Sequence, residues 1–379
     1  MDFRSISFDD AVVGAGILGL AHAYTLARRG RKVIVFERSQ RAQGASVRNF
    51  GMIWPIGQTA GHNRELALRS REIWLELLAE AGIWHERVGS LHLAYADDEA
   101  AVLHEFADRE AERYGYELLT AAQALNKSSA ILAENLRCAL WSADETCVDP
   151  RLTVASIPAF LEAKHGVKFA FNTAVAAFHS PRVVAGGEQW HAERLWVCSG
   201  DDTQTLYPEL LENQGFRRCK LQMMRSQPYG NVFRLGPMLA AGLTLRHYTS
   251  FKDCPTLPAL QARYAERNPD FDRFGIHVMA SQNGNGEVTI GDSHEYGADI
   301  TPFDREEIDT LILNYLSGFL NCPDLRISQR WHGIYLKHPT DLYYVGRPEP
   351  GVVITTGVGG NGMTLSFGLA ERVITTTLD

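Results

Sequence analysis

Two glycine clusters, and the acids, amides and hydroxyls near them, carry the chemistry of this 379-residue chain. Near the N-terminus GAGILG places Gly14, Gly16 and Gly19 after a short apolar run at 11–13. Ile17, Leu20, Ala21, Tyr24 and Ala27 follow at helical spacing, and KVIVFE (32–37) then reads as a second strand ending in Glu37. Strand, glycine turn, helix and strand make one βαβ unit, in which each residue has a mechanical task. Gly14 permits the tight turn, Gly16 lets a pyrophosphate approach the backbone, and Gly19 allows the helix to pack closely on the strand. Ile17 and Leu18 open the helix, whose free N–H groups and partial positive charge favour phosphate. Glu37 falls eighteen positions after Gly19, close to the spacing of about 20 for a ribose-binding acid, and its charge disfavours a 2′-phosphate.

The second cluster, GVGGNGMT (357–364), follows the apolar run VVITTG and opens a terminal helix predicted from about 363. It repeats the chemistry of the first: a helix N-terminus with close backbone approach. Between them GASVRNFGMIWP (44–55) sets Ser46, Arg48 and Asn49 between Gly44 and Gly51, offering donors to a second phosphate or to a flavin ring. Two such turns in one chain fit a long dinucleotide held at both ends, and FAD is the cofactor expected. A helix N-terminus at the flavin N1–C2=O edge would stabilise the negative charge that builds up on reduction.

These turns need elements to position them. Helices are predicted over 63–81, 98–114 and 303–320, with Gly30, Gly82 and Gly115 as stops. From about 166 strand-like segments accumulate, namely VKFAF, RLWVCSG, KLQMMRSQ, LTLRHYTSF and EVTIGDS, with NGNGE (283–287) as a hairpin turn. The pattern predicts an α/β fold: a discontinuous Rossmann-like cofactor-binding domain (1–84, 146–218 and 329–379). An inserted α+β substrate domain with a mainly antiparallel sheet takes 85–145 and 219–328.

The chain resembles the FAD-dependent oxidoreductases of the D-amino-acid oxidase, glycine oxidase and sarcosine oxidase class over nearly its whole length. The resemblance rests on GAGILG with Glu37–Arg38, on GAS and Asn49–Gly51, on Ser199–Gly200 after a strand, on Trp331-His-Gly333, and on the terminal GGNGM. It implies FAD binding and oxidation of an amine to an imine by hydride transfer to flavin N5, with no side chain required as general base. It further implies that Ala174 and Val175 contact the adenine side. Gly333, Ile334, and Gly359, Gly360, Asn361, Gly362, Met363 and Thr364 would line the isoalloxazine. Met52 and Trp54 are placed either against the flavin or in plain core. No cysteine or histidine motif for a covalent flavin is present, so non-covalent binding is expected.

The chain also departs from that class. An arginine usually clamps the substrate carboxylate two places after the Trp-x-Gly glycine, and here Tyr335 stands there. A second arginine, often found just before the terminal Asn-Gly, is replaced by Gly360. The planar bidentate clamp is therefore missing at both places. Lys337, His338, Arg225, Arg246, His247 and Tyr248 are the candidate replacements, and a point-charge lysine with His and Tyr donors suits a tetrahedral anion. The sequence is also similar to a subgroup associated with aminophosphonate breakdown. A small amine bearing a phosphonate or other compact anion is the expected substrate, with a D-amino-acid or glycine/sarcosine-type reaction as alternative. An NAD-dependent dehydrogenase would leave the second glycine cluster without a role, and a non-catalytic FAD-binding protein is the remaining rival. The electron acceptor is not written in these residues.

Composition excludes other classes. Lys+Arg is 37 and Asp+Glu 45, a net charge of −8, which is a poor match for nucleic acid or anionic membranes. No apolar run is long enough to span a membrane, and the acidic N-terminal stretch reads as no signal peptide. Six scattered cysteines (138, 147, 198, 219, 254, 322) show no CxxC spacing, so no metal site and no disulfide framework are expected, and a reducing, cytoplasmic compartment is. There is no GxSxG, which disfavours a serine hydrolase.

Overall fold

The computed structural model describes residues 7–297 and 300–379; most of the N-terminal stretch read for a signal segment lies outside them. The strand Ser7–Val13 pairs in parallel with Val33–Phe36 on one side and with Glu188–Val197 on the other. An eight-stranded sheet grows around these three, adding Lys168–Ala170, Val175–His179, Arg182–Ala185, Tyr344–Gly346 and Val352–Thr356. Parallel strands covered on both faces need apolar residues on both, and Ser7–Val13 supplies them. Val12 enters a core with Leu20, Trp74, Val154 and Phe367 from four helices, while Phe8 and Ala11 enter a second core with Val175, Phe178 and Leu211.

The helices Ile17–Arg28, His62–Ala81, Asp97–Tyr114 and Gly362–Leu378 lie where the spacing predicts. The first ends two residues before Gly30, the next two one residue before Gly82 and Gly115, and the predicted helix over 303–320 is shorter, Glu306–Leu316. Trp74 fixes the terminal helix by donating from Nε1 to the Met363 carbonyl at 2.7 Å and packing edge-on against Phe367.

A nine-stranded, mainly antiparallel sheet forms the second half. Its long pair is Arg217–Ser226 against Ile327–Lys337. This pairing sets residues 329–337 in the second sheet, although Gly333 at its middle packs on the loop of Arg48 beneath the first. NGNGE closes the hairpin between Met279–Gln282 and Val288–Gly291. One strand expectation fails. LTLRHYTSF is a short helix, Gly242–His247, followed by a 3₁₀ turn over Thr249–Phe251. Residues 242–245 are all buried, a pattern no half-exposed strand gives, and Gly242 sits tight against Glu99 and the Tyr264 hydroxyl.

All six cysteines are unpaired. No helix among the described residues is long and apolar enough to cross a membrane.

Candidate active site: a dinucleotide cradle facing a histidine–tyrosine wall

The N-terminal turn is held together by contacts only glycine permits. A side chain on Gly19 would begin 1.9 Å from the Gly14 carbonyl oxygen, and one on Gly14, which has φ of +96°, 2.5 Å from that of Cys198. Ser46 reaches the same turn, its hydroxyl accepting from the Ile17 amide at 2.9 Å. Asn49 shapes its own loop instead: Nδ2 donates to the carbonyls of Ala45 and Ser46, and Oδ1 accepts from the Gly51 amide. Glu37 accepts from the amides of Ala15 and Ser39, each at 3.0 Å. A carboxylate has about four acceptor positions, so capacity remains for ribose hydroxyls.

The terminal turn folds against the first. A β-carbon placed on Gly362 would lie 3.8 Å from Ile17 Cγ2, so the two glycine clusters, nearly 350 residues apart, are neighbours. Neither Gly16 nor Asn361 caps its helix with a side chain. Both helix starts border one cavity of about 950 Å³. Its wall includes Gly14, Gly16, Ile17, Leu18, Glu37, Arg38, Ser46, Asn49, Ala174, Val175, Ser199 and Gly200. It also includes Gly333, Ile334 and the run from Gly359 to Met363. Backbone amides, glycines without Cβ and an elongated cavity suit a long dinucleotide in both charge and shape.

Four expected cofactor residues stand behind the wall. Gly19 packs helix on strand. Gly51 lies against the Val148 carbonyl, where a Cβ would come within 2.0 Å, and Met52 pairs with Cys147 in a three-stranded sheet. Thr364 accepts from the Trp54 amide at 3.0 Å. Met52 and Trp54 are both buried core.

The opposite wall carries side chains. Tyr335, Lys337, His247 and Tyr248 border the cavity. Lys337 lies beside Gly359, with its ammonium 5.4 Å from the centre of the Tyr296 ring. Tyr335 is buried, and burial holds its hydroxyl protonated, well above the usual range. Tyr248 reaches the wall past Gly57, which has room for no side chain. Burial holds His294 at about 4, and His247, although exposed to the cavity, is lowered by desolvation and by the neighbouring His277, His294 and Lys337, so both rings are neutral near pH 7.

Two expectations are corrected. Arg225 is not on the cavity wall: it is buried, with Glu287 at 3.3 Å and Asp149 at 3.8 Å. It lies on the same strand as the wall residue Met223, beyond the cavity's end, where acids from two distant segments neutralise it. Arg246 is likewise engaged, with Asp272 at 2.6 Å.

The sequence reading missed His277, Asp292, His294 and Tyr296, all on the wall. A signal existed. Counting back from NGNGE through the pairs Gln282–Val288 and Met279–Gly291 leads to within one residue of the pair His277 and Asp292, which exchange both backbone hydrogen bonds after a one-residue register shift.

A family model described as FAD dependent oxidoreductase matches residues 9–375, a span containing both glycine clusters. The chain belongs to this family, the DAO oxidoreductases. It is therefore an FAD-dependent oxidoreductase. Among curated relatives, gamma-glutamylputrescine oxidoreductase of Escherichia coli (strain K12) is 24% identical, over 98% of this chain and 83% of its own length. Among solved structures, glycine oxidase from Bacillus cereus ATCC 14579 superposes with a TM-score of 0.78 at 19% identity, covering 98% of this chain and 96% of that one. L-alpha-glycerophosphate oxidase from Mycoplasma pneumoniae, with FAD bound, gives 0.75 at 17% identity, covering 98% and 95%. The DAO fold thus runs through the whole described chain, and the cradle's glycines fit the cofactor the family uses.

Proposed function

We propose that this enzyme oxidises the carbon–nitrogen bond of a small amine that carries a compact anion, such as a phosphonate. The observation that carries the proposal is Lys337. Three arginine or lysine side chains border the cavity: Arg38, Arg48 and Lys337. Arg38 pairs with Asp202 at 2.9 Å, and Arg48 donates to the His332 carbonyl at 3.2 Å. Neither Arg48 nor Lys337 has a carboxylate within ion-pair distance among the described residues, and Lys337 is exposed on the cavity wall, its ammonium making no hydrogen bond to those residues. An ammonium left without a counter-charge beside a cofactor-sized cavity supports an anion there. With Tyr335 where a guanidinium would make a planar fork, that anion need not be a flat carboxylate.

FAD, when bound, supplies the hydride acceptor for the carbon beside the amine nitrogen. The protein's part is orientation and electrostatics. Lys337 fixes the anionic end, beside the Tyr248 and Tyr335 hydroxyls, both held protonated by burial. The first turn of Gly362–Leu378 directs its uncapped amides and positive dipole end at the cavity, where negative charge is stabilised.

The names of the relatives support amine and amino-acid chemistry, and the glycerophosphate oxidase shows that this fold serves a phosphate-bearing substrate as well. Anaerobic mixing of the yellow holoenzyme with a panel of amines provides the test. Bleaching by aminoethylphosphonate or its N-methyl form, and not by glycine or D-alanine, is expected. Bleaching by the amino acids alone would overturn the anion assignment and favour glycine-type oxidation.

A further inference from the structure

We infer that His247, His277 and His294 form a binding site for one divalent transition-metal ion on the substrate wall of the cavity. Each ring offers one nitrogen, and these nitrogens lie within 4.8 Å of one another. The ring centres are 3.8, 4.4 and 5.0 Å apart. The His277 ring is stacked on both others, at 28° to His247 and 23° to His294, so the rings must turn about their side-chain torsions to direct three nitrogens at one ion.

The surroundings of the rings argue for the site. A metal-binding histidine commonly donates its second N–H to a carboxylate or carbonyl, which fixes the tautomer and turns the other lone pair to the ion. His294 does this through Nδ1, 3.0 Å from the Gly275 carbonyl, leaving Nε2 for a ligand. His277 Nε2 lies 3.0 Å from Asp292 Oδ1 without hydrogen-bond geometry, that oxygen having no hydrogen-bond partner, and its other nitrogen is Nδ1. That Nδ1 is buried and has no hydrogen-bond partner, in a residue only 2% exposed. A buried nitrogen without a partner is costly, and a metal ion satisfies it. His247 makes ring contacts to both others and is exposed to the cavity. Backbone hydrogen bonds in both directions between His277 and Asp292 hold the base of the site rigid. Asp292, with Oδ1 buried and lacking a hydrogen-bond partner, places a carboxylate beside the rings.

Three nitrogen ligands with open positions give a site that also takes an oxygen donor from water or substrate. Here the ring of His294 lies 6.4 Å from those of both Tyr296 and Tyr335, and the Tyr296 ring is next to the Lys337 ammonium. On the proposed function, on which this last step rests, the ion shares the substrate's anionic group with Lys337 and takes the place of the missing guanidinium fork.

Zinc is the probe. Holoenzyme stripped with chelator and dialysed against Zn²⁺ should retain one zinc per chain alongside its flavin. His277→Leu should lose at least nine-tenths of it, and Asp292→Asn should weaken binding about tenfold. Should His277→Leu fail to fold, His247→Gln, altered at a ring facing the cavity, should lose zinc just as strongly with its flavin spectrum intact. Restoring zinc should lower KM for an anionic amine with little change in kcat. Wild-type holoenzyme that retains no zinc, or zinc retention that His247→Gln and His277→Leu leave unchanged, would overturn the site. Flavin bleaching by anionic amines in enzyme that binds no zinc would remove the metal while leaving the proposed function standing. Zinc bound by these histidines, with no amine bleaching the flavin, would do the reverse.

Discussion

At one end of the cavity the wall is mostly main chain: Gly14, Gly16 and the run Gly359–Gly362 present amides and carbonyls at two helix starts. At the other it is mostly side chain: His247, Tyr248, His277, Asp292, His294, Tyr296, Tyr335 and Lys337 reach in from four separate stretches of the second sheet and its neighbours. The difference sets what each end tolerates. A backbone cradle is specific for a phosphate-rich ligand and fails when any atom is added. A side-chain wall can be rewritten one residue at a time.

The largest effect should come from adding atoms to the backbone end. Gly19→Val puts carbon where the Gly14 carbonyl oxygen already is. It should cost about 3 kcal/mol or more and yield protein without bound flavin, read by absorbance and thermal unfolding. A yellow, stable Gly19→Val enzyme would break the contrast between the two ends.

Next is acid sensitivity, which both halves carry in buried rings away from the cavity. Burial lowers His22, on the first helix against Trp196 and Thr355, to about 4, and His92, in the second sheet, to about 3. An unfolded chain titrates near 6.5, so below that pH it binds protons the folded chain refuses. Stability is therefore full above about pH 6.5 and falls as the pH drops toward 4, by about 2 kcal/mol per ring at pH 5. Neither ring nitrogen of His92 has a partner. His92→Leu should thus flatten the melting-temperature profile between pH 6.5 and 5; a profile parallel to wild type would acquit His92.

Lys337→Met sharpens the comparison from the side-chain end. It should lower kcat/KM for anionic amines about a hundredfold, by removing a charge-assisted contact, and leave flavin content unchanged. Equal losses for an uncharged amine of the same size would show that Lys337 serves something other than the anion. The smallest change expected is in Glu37→Gln, which keeps the shape and removes the charge: FAD affinity should fall about tenfold by equilibrium titration. Unaltered affinity would mean that Glu37 serves only the amides of Ala15 and Ser39.

The cofactor end was legible because its chemistry is local. Gly14, Gly16, Gly19 and Glu37 follow one another along a single βαβ unit, and a conformation that only glycine adopts is written in the residue type itself. Gly51, Met52 and Thr364 show the limit of that reading: they sit beside the wall in sequence and behind it in space. Arg225 shows it more sharply, since what decided its role was Asp149 and Glu287, which lie 76 and 62 positions away.

By itself, then, the sequence determined both glycine turns, the acid after the second strand and the absence of arginine at 335 and 360. These follow from backbone stereochemistry and residue type, which act over a few positions. Only the tertiary structure decided that the two turns meet at Ile17 and Gly362, that 243–247 is helical, and that three histidines from a helix and a hairpin share one corner of the cavity. Long-range packing, not local propensity, brings such groups together, because a side chain's partners are chosen by whichever elements bury their apolar faces against its own.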